Sequence, residues 1–274
     1  MKKVIKLVAA CLVAFLGGIL LYWNSNRQEQ PEPEPVGVPS PAAAPVALSE
    51  LMEIPALTTG GRIVQHGAYV SSYKTETLIP DWVAYELTDV EAQGTGKRDG
   101  RFYPDPDVEG VQATYDDYRS TGWDKGHIAP AGDMKWDAQA MYESCYFTNI
   151  CPQNHNLNGG VWRSLEERCR QYASTYGCVY IAAGPIVGEA KNGTLGYNEV
   201  VIPDAFYKVL LVCIDGRYEG IGFYFENVAG HKPLPTYAMT IDEIETITGI
   251  DFFFALPDKI EDDVESKINQ EIWF

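Results

Sequence analysis

The sequence is poor in positive charge. Its 274 residues include 21 Lys and Arg against 38 Asp and Glu, which gives a formal net charge of −17 at pH 7. Proteins that coat nucleic acids bind by neutralising phosphates with Lys and Arg side chains. The charge balance therefore excludes a passive nucleic-acid coat, whereas an enzyme needs positive charge only at its site. Hydrophobic residues make up 46% of the chain, which excludes a disordered protein and suffices for one large core or two modest ones.

The cysteines lack the paired C-x2-C spacing that is usual in structural zinc sites. Cys145, Cys151 and His155 lie in one stretch, but their C-x5-C-x3-H spacing differs from that pattern and disfavours zinc. The chain beyond residue 47 contains an odd number of cysteines, so at least one thiol stays unpaired even in an oxidising compartment. These cysteines are Cys145, Cys151, Cys169, Cys178 and Cys213.

The N-terminus has the pattern of an export signal. Three lysines precede an uncharged apolar run from Leu7 to Trp23. No small-x-small cleavage site follows this run, so we predict an uncleaved membrane anchor in residues 1–27, with secretion as the alternative if the segment is cleaved. Cys11 imitates a lipoprotein box but lies too early in the run, which makes lipidation the less favoured alternative. Because the basic residues come first, the rest of the chain is predicted to face the periplasm or the exterior.

The remainder of the chain divides into a linker and one domain. Residues 28–47 are rich in proline and acidic residues, which prevent regular hydrogen bonding and keep the segment extended. Residues 48–274 contain no second low-complexity break and no internal repeat. We therefore predict a Pro-rich linker followed by a single globular domain.

Strand and helix patterns are mixed within this domain. Four segments dense in β-branched or aromatic residues are predicted to be strands, at residues 82–87, 179–182, 207–214 and 220–225. Apolar residues recur at spacings of three and four after residue 159, which predicts a helix that ends at Gly177. The strands and helices do not alternate regularly. The domain is therefore predicted to be α+β, with a mainly antiparallel sheet.

A second helix is predicted near the C-terminus. Thr240 and Glu243 form a capping box at its start, and Gly249 supplies its end. Three isoleucines are predicted to share its apolar face: Ile241, Ile244 and Ile247.

His127, one of only four histidines, lies in the segment TGWDKGHIAPAGDM, which spans residues 121–134. Gly126 allows a tight turn or a close approach to a ligand, and Asp124 can hold a hydrogen-bond donor. Lys125 places a positive charge beside the ring. These residue types together are suited to binding phosphate. Downstream, several asparagines precede the first predicted helix, where asparagine more commonly caps helices or forms turns.

The segment Asp124-Lys125-Gly126-His127 resembles the D-R-G-H signature of the DNA/RNA non-specific endonucleases. These are ββα-metal nucleases, which include secreted sugar-non-specific nucleases and mitochondrial endonuclease G. Residues 148–153, 157–162 and 165–166 are similar in order and spacing to the family's S-N-x-x-P-Q, L-N-x-x-x-W and L-E elements. The similarity covers most of residues 60–260. It implies a ββα-metal nuclease fold, in which a central, mainly antiparallel sheet is flanked by helices.

The resemblance implies hydrolysis of phosphodiester bonds, which needs a nucleophilic water and a cation at the developing charge. By analogy, His127 is the general base that removes a proton from water. Asn158 is the one direct protein ligand of Mg²⁺, with Mn²⁺ as the alternative ion, and Glu166 acts through a water. If a continuous helix starts at Asn158, its Cα lies about 12 Å from that of Glu166, so both cannot coordinate directly. Arg170, one turn beyond, could pair with Glu166.

The family also uses an arginine before the D-R-G-H block to bind phosphate. Arg98 and Arg101 are the candidates, and we favour Arg98. Lys125 replaces the usual arginine of the signature and keeps a phosphate-binding charge without the bidentate fork. Other basic residues predicted to line the same groove are Lys97, Arg163, Arg168 and Arg170. Structural support for the site is assigned to Asp124, Gly126 and Asn149.

The sequence thus predicts an Mg²⁺-dependent endonuclease whose partners are DNA and RNA substrates and which has little sequence preference. Two alternatives stay open. The same site could act on another phosphodiester, or the domain could be a non-catalytic module that binds polyanions or proteins. The presence of His127, Asn158 and Glu166 favours an enzyme over a binding module.

Overall fold

A seven-stranded antiparallel sheet forms the centre of the fold. The structure is a computed structural model that describes residues 51–56, 60–98, 100–230 and 232–274. Its strands are β1 (Arg62–Gln65), β2 (Val70–Lys74), β3 (Ile79–Thr88), β4 (Asp124–His127), β5 (Ile150–Gln153), β6 (Cys178–Ile186), β7 (Thr194–Leu195), β8 (Val200–Val201), β9 (Ala205–Ile214), β10 (Arg217–Glu226) and β11 (Ala238–Met239). The central sheet has the order β1-β2-β3-β6-β9-β10-β11. The remaining strands form two small ribbons, β4-β5 and β7-β8.

The four predicted strands are present as β3, β6, β9 and β10, and they are adjacent in the sheet. β-Branched and aromatic side chains favour this pleated arrangement because they pack well on both faces. Every pair of neighbouring strands in this sheet is antiparallel, with Tyr85 opposite Ile181 and Ile181 opposite Leu210, for example. The predicted α+β class with a mainly antiparallel sheet is confirmed.

Seven helical segments occur in the described residues: α1 (Tyr115–Tyr118), α2 (Ala138–Glu143), α3 (His155–Leu157), α4 (Arg163–Tyr176), α5 (Ile241–Thr248), α6 (Asp258–Glu265) and α7 (Gln270–Trp273). In addition, 3₁₀ turns span Glu91–Gln93, Phe147–Asn149 and Leu234–Tyr237. Both predicted helices exist, as α4 and α5. Gly177 ends α4 with a φ of 91°, and the Thr240–Glu243 capping box starts α5.

Helices cover both faces of the central sheet. Along β3 successive side chains point to opposite faces, so Val83 and Tyr85 join one core cluster while Trp82 and Ala84 join the other. The first cluster includes Leu165 and other apolar residues of α4. The second cluster includes the apolar faces of α5 and α6. Burial on both faces explains why β9 is almost wholly apolar.

The β4-β5 ribbon and α4 form a ββα unit beside the central sheet. A π turn, Asn158–Trp162, connects the short helix α3 to α4. Within it, Gly160 has φ −105° and ψ −114°, which departs from helical geometry. The condition of a continuous helix from Asn158 is therefore not met, and the separation of about 12 Å that it gave does not apply.

The predicted anchor in residues 1–27 and the predicted linker in residues 28–47 lie outside the described residues. The predicted start of the domain at residue 48 also lies outside them. Within the part of the chain that the structure describes, no helix has the length and apolar character needed to cross a membrane.

Candidate active site

An open cleft of about 420 Å³ lies beside the ββα unit. Its walls are formed by Arg98, Phe102, Trp123, Asp124, Lys125, His127, Pro130, Ala131, Gly132, Asn158 and Glu166. Six of these are site residues predicted from the sequence, although they are scattered over nearly seventy positions of the chain. The structure therefore brings the candidate base, the candidate metal ligand and two cations to one surface.

His127 is the last residue of β4 and is only 9% exposed. Its Nε2 atom is buried and has no hydrogen-bond partner among the described residues. Burial, together with the positive charge of Arg98, lowers the pKa of His127 to about 3. The imidazole is therefore neutral at physiological pH, with a ring nitrogen available to accept a proton.

The position of His127 depends on the close pairing of β4 with β5. Gly126 lies opposite Cys151, and His127 lies opposite Ile150. A Cβ atom at Gly126 would collide with the side chain of Gln153, so a glycine is required for this pairing. The carbonyl of His127 accepts a hydrogen bond from Nε1 of Trp162 at 3.3 Å, which connects the ribbon to the π turn.

Asn149 fixes the loop that follows His127. Its Oδ1 accepts a hydrogen bond from the backbone N–H of Ala129 at 2.8 Å. Its Nδ2 donates to the carbonyls of Ala129 and Ser144, each at 2.8 Å. The side chain is fully buried, so these bonds are shielded from water. Asn149 therefore lies outside the cleft and contacts it only through the backbone of this loop.

Asp124 orients the amide of Asn158. Nδ2 of Asn158 donates to Oδ2 of Asp124 at 2.8 Å, so the amide oxygen is the free end of the side chain. Nδ1 of His155 also lies 3.0 Å from Oδ2 of Asp124. An amide oxygen held in this way is a suitable ligand for a hard cation such as Mg²⁺. The contact with Asp124 could not be read from the sequence because 34 positions separate the two residues.

Glu166 lies on α4 and lines the cleft, half-buried. Burial raises its pKa to about 8, while the positive charges of Lys208 and Arg170 oppose this rise. The predicted ion pair with Arg170 is replaced by another: Nη1 of Arg170 donates to Oδ1 of the fully buried Asp133 at 2.5 Å. The other oxygen of Asp133 accepts from the hydroxyl of Tyr85 at 2.8 Å. Glu166 is therefore left available at the cleft, with Arg170 nearby as a fixed positive charge.

Sequence reasoning missed two charged residues that lie behind the cleft, Asp133 and Lys208. Lys208 on β9 is fully buried, and its Nζ donates to the carbonyl of Ile128 at 3.2 Å. The same ammonium lies 4.6 Å from the ring centroid of Trp162, within cation–π range. A signal for Lys208 was present, since a lone lysine inside an otherwise apolar strand must have a specific partner.

Arg98 and Lys125 supply the positive charge of the cleft. The Arg98 guanidinium lies 4.7 Å from the ring centroid of Phe102. The Lys125 ammonium lies near three rings, at 4.7 Å from Tyr115, 5.4 Å from Phe102 and 5.5 Å from Tyr118. Burial lowers the pKa of Lys125, and Asp124 opposes that effect. The rings hold both cations at the cleft with only partial loss of hydration.

The other predicted basic residues do not line this cleft. Arg101 packs on the ring of Tyr103 at 5.7 Å. Arg163 pairs with Glu167 at 2.9 Å, and Arg168 bonds Gln171 at 3.2 Å. Of the two candidates for the phosphate-binding arginine, only Arg98 lies in the cleft.

The zinc alternative receives no support from the described residues. Cys145 and Cys151 are buried free thiols, whereas the ring of His155 is exposed and contacts Asp124. The described side chains contain two clusters that could hold a metal, and neither includes these three residues.

Replacing Arg98 with glutamine is expected to raise the pKa of His127, because the variant removes a positive charge that disfavours the imidazolium. The pKa should stay below the ordinary value of about 6.5, since burial is the larger cause and is unchanged. NMR titration of the imidazole, assigned by comparison with His127→Ala, measures this shift. Arg101→Gln is the matched control and should leave the pKa unchanged. An equal pKa in wild type and Arg98→Gln would contradict the proposed electrostatic coupling.

Comparison with known proteins identifies the family. A model of the DNA/RNA non-specific endonuclease family matches residues 49–259. The chain is 32% identical to the mitochondrial nuclease EXOG of Xenopus laevis, over 78% of this chain but less than two thirds (65%) of that protein. It is 30% identical to the mitochondrial endonuclease G of Bos taurus, over 77% of this chain and 79% of that protein. A chain in the crystal structure of the EndoG/EndoGI complex matches with a TM-score of 0.72 and 25% identity, covering 79% of this chain and 95% of that chain.

These relatives correct the predicted localisation. An exported chain that is anchored in a membrane and faces the periplasm or the exterior is contradicted by relatives that are named mitochondrial nucleases. The prediction is therefore wrong. It depended on a short basic and apolar N-terminus, and such a composition does not by itself distinguish an export signal from other targeting segments.

The ordered motifs, the ββα unit and the family match lead to the same assignment. The structural likeness to EndoG confirms the predicted ββα-metal nuclease fold. The matched region includes every residue of the cleft, and the relatives are named nucleases, in agreement with the predicted enzyme class. The chain belongs to the DNA/RNA non-specific endonuclease family.

Proposed function

We propose that this protein is an Mg²⁺-dependent endonuclease that hydrolyses phosphodiester bonds of DNA and RNA with little sequence preference. The observation that carries the proposal is the unpartnered Nε2 of a neutral His127 in a cleft that also contains Asn158 and Glu166. A buried polar atom without a partner is costly unless a ligand or water meets it. This cost supports a functional role for His127 over a packing role.

The residues present fit a hard divalent cation. Asn158 offers an amide oxygen that its bond to Asp124 has already oriented, and Glu166 offers carboxylate oxygens in the same cleft. Oxygen ligands of this kind suit Mg²⁺, with Mn²⁺ as the alternative. When bound, the ion would stabilise the negative charge that develops on the phosphate.

His127 would act as the general base. Its neutral Nε2 can accept the proton of the attacking water, whereas a protonated ring could not. A pKa of about 3 makes the isolated imidazole a weak base. An anionic phosphate that enters the cleft would raise this pKa, because a nearby negative charge favours the imidazolium. Substrate binding would thus strengthen the base at the moment when it is needed.

Arg98 and Lys125 would bind the phosphate backbone. Both are cations at the cleft surface, where they can pair with phosphate oxygens. Contacts with phosphate carry no sequence information, which is consistent with little sequence preference. The local positive charge also explains how a chain with a net charge of −17 could bind a polyanion.

The direct test is cleavage by the purified full chain. Supercoiled plasmid DNA and single-stranded RNA are each incubated with EDTA, with Mg²⁺ and with Mn²⁺, and the fragment ends are sequenced. We expect both substrates to be cut only with added metal, at ends that share no sequence. Cleavage of small diesters without cleavage of nucleic acid would favour the alternative substrate. Binding of DNA without cleavage under every metal condition would favour the non-catalytic module.

A further inference from the structure

Three carboxylates converge on the face of the sheet that α5 and α6 cover. Asp242 and Glu245 belong to α5, and Glu265 is the last residue of α6. One oxygen atom from each lies within 4.8 Å of the other two. Ligands on opposite sides of a Ca²⁺ ion, each at about 2.4 Å, lie about 4.8 Å apart, so one ion can be reached by all three.

Glu265 is the member that requires an explanation. It is only 5% exposed, and its Oε1 has no hydrogen-bond partner among the described residues. A buried carboxylate without a partner is strongly unfavourable. Glu265 also ends a helix, where the helix dipole disfavours negative charge. A positive species is therefore needed at this oxygen.

The neighbouring acidic residues make a negative charge on Glu265 still more unfavourable. Burial raises the pKa of Glu265 to about 9, and the neighbouring acids Glu245, Glu261, Asp242 and Asp251 add to the rise. The last turn of α6 contains no basic residue. Lys267, just beyond it, pairs with Asp263 at 2.6 Å.

Glu245 is already held in position. Its Oε1 accepts a hydrogen bond from the backbone N–H of Phe252 at 2.7 Å. This bond fixes the side chain and leaves the second oxygen for another ligand. Asp242 and Glu245 are three residues apart, which places both on one side of α5.

We propose that Asp242, Glu245 and Glu265 form a Ca²⁺-binding site that is separate from the catalytic cleft. Ca²⁺ accepts flexible sets of carboxylate ligands and completes its shell with water, which the exposed Asp242 side can supply. A single proton on Glu265 would neutralise one carboxylate and leave the other two repelling each other. A divalent cation interacts favourably with all three carboxylates at once and offsets most of the charge of the cluster.

The site would fasten α5 to α6 over β10. A Cβ atom at Gly220 would lie 2.6 Å from Cδ1 of Ile241 and 2.8 Å from Cγ1 of Val264, so the glycine lets both helices approach the strand. The cluster lies at the junction of the same two helices. Ca²⁺ binding is therefore coupled to the packing of this layer, and it should stabilise the folded chain.

Thermal unfolding of the full chain tests the proposal. In metal-free buffer at neutral pH, added Ca²⁺ should raise the Tm by about 5–10 °C at concentrations near 100 times its Kd. Glu265→Gln and Asp242→Asn should each remove most of this shift. Asp242 is exposed, so its variant should fold even if the substitution at Glu265 does not. Isothermal titration should show one Ca²⁺ fewer bound per chain in both variants.

Two controls separate this site from the cleft. Asn158→Ala should keep the Ca²⁺ shift, because it alters only the proposed catalytic metal ligand. Asp262→Asn removes the same charge from an exposed position of α6 and should also keep the shift. The proposal is overturned if Ca²⁺ does not raise the Tm of the wild type, if Glu265→Gln and Asp242→Asn respond like the wild type, or if Asn158→Ala abolishes the response. Each result is independent of nuclease activity, which can be assayed on the same samples.

Discussion

Replacing His127 with alanine is expected to slow metal-dependent cleavage of plasmid DNA by about 10²–10⁴-fold, the usual loss when a general base is removed. The buried Nε2 has no partner among the described residues, so the variant breaks no hydrogen bond at that atom. The strand itself is held by backbone pairing with β5 and by the Trp162 bond to the His127 carbonyl, both of which alanine retains. Mg²⁺ binding should persist, because Asn158 and Glu166 are unchanged.

His66 offers a matched control, since its imidazole is equally enclosed but lies outside the cleft. Its side chain is 3% exposed, bonds Asp105 at 2.8 Å and packs on Tyr69 and Tyr146. His66→Ala should lower the Tm and leave the rate per folded molecule near that of the wild type. His127→Ala should show the opposite pattern. A folded His127→Ala protein that binds Mg²⁺ and still cuts at nearly the wild-type rate would disprove the proposed base.

The parts of the fold that were predictable depend on local patterns. Strands β3, β6, β9 and β10 have dense β-branched and aromatic residues, and α4 and α5 have clear periodicity and end signals. The prediction that three isoleucines share the apolar face of α5 was wrong for one of them. Ile247 is 42% exposed, whereas Ile241 and Ile244 are buried. Six residues correspond to a rotation of about 600° around the helix axis, so the side chain of Ile247 points about 120° away from that of Ile241.

Only those residues of the candidate site that belong to the family's sequence motifs could be predicted. Arg98, Lys125, His127, Asn158 and Glu166 line one cleft, as the resemblance implies. Their roles in catalysis and metal binding stay predictions. Partners distant in sequence could not be predicted, because they depend on how the elements pack.

Arg170 illustrates this limit. Helical spacing suggested Glu166 as its partner, yet Asp133 from a loop 37 residues away accepts its hydrogen bond. The buried Asp133 needs a positive partner more than the half-buried Glu166 does, because desolvation penalises an unpaired charge most in the interior. Similarly, only the folded structure shows that Lys208 reaches Ile128 behind the site.

A large effect on metal activation is expected for Asn158→Ala. This variant should weaken activation by Mg²⁺ far more than it weakens folding. The substitution removes the amide oxygen that is proposed to bind the ion, together with one hydrogen bond to Asp124. A hydrogen bond to a charged group contributes about 1.5–3 kcal/mol when buried, and this one is only partly buried. The helix start should survive, because Asn154 and not Asn158 caps α3 through its bond to the N–H of Asn156.

Asn156→Ala is the matched control, since it removes the same side chain from an exposed position two residues away. The Mg²⁺ concentration for half-maximal cleavage should rise strongly in Asn158→Ala and stay unchanged in Asn156→Ala. Direct titration of Mg²⁺ should show weaker binding in the first variant alone. Asp124→Ala should reproduce part of the defect, because it frees the amide to rotate while it leaves the oxygen present. If Asn158→Ala is folded and shows the Mg²⁺ dependence of the wild type, the metal ligand must be another residue of the cleft. Glu166→Gln then becomes the deciding variant, because it shows whether the carboxylate of Glu166 binds the metal directly.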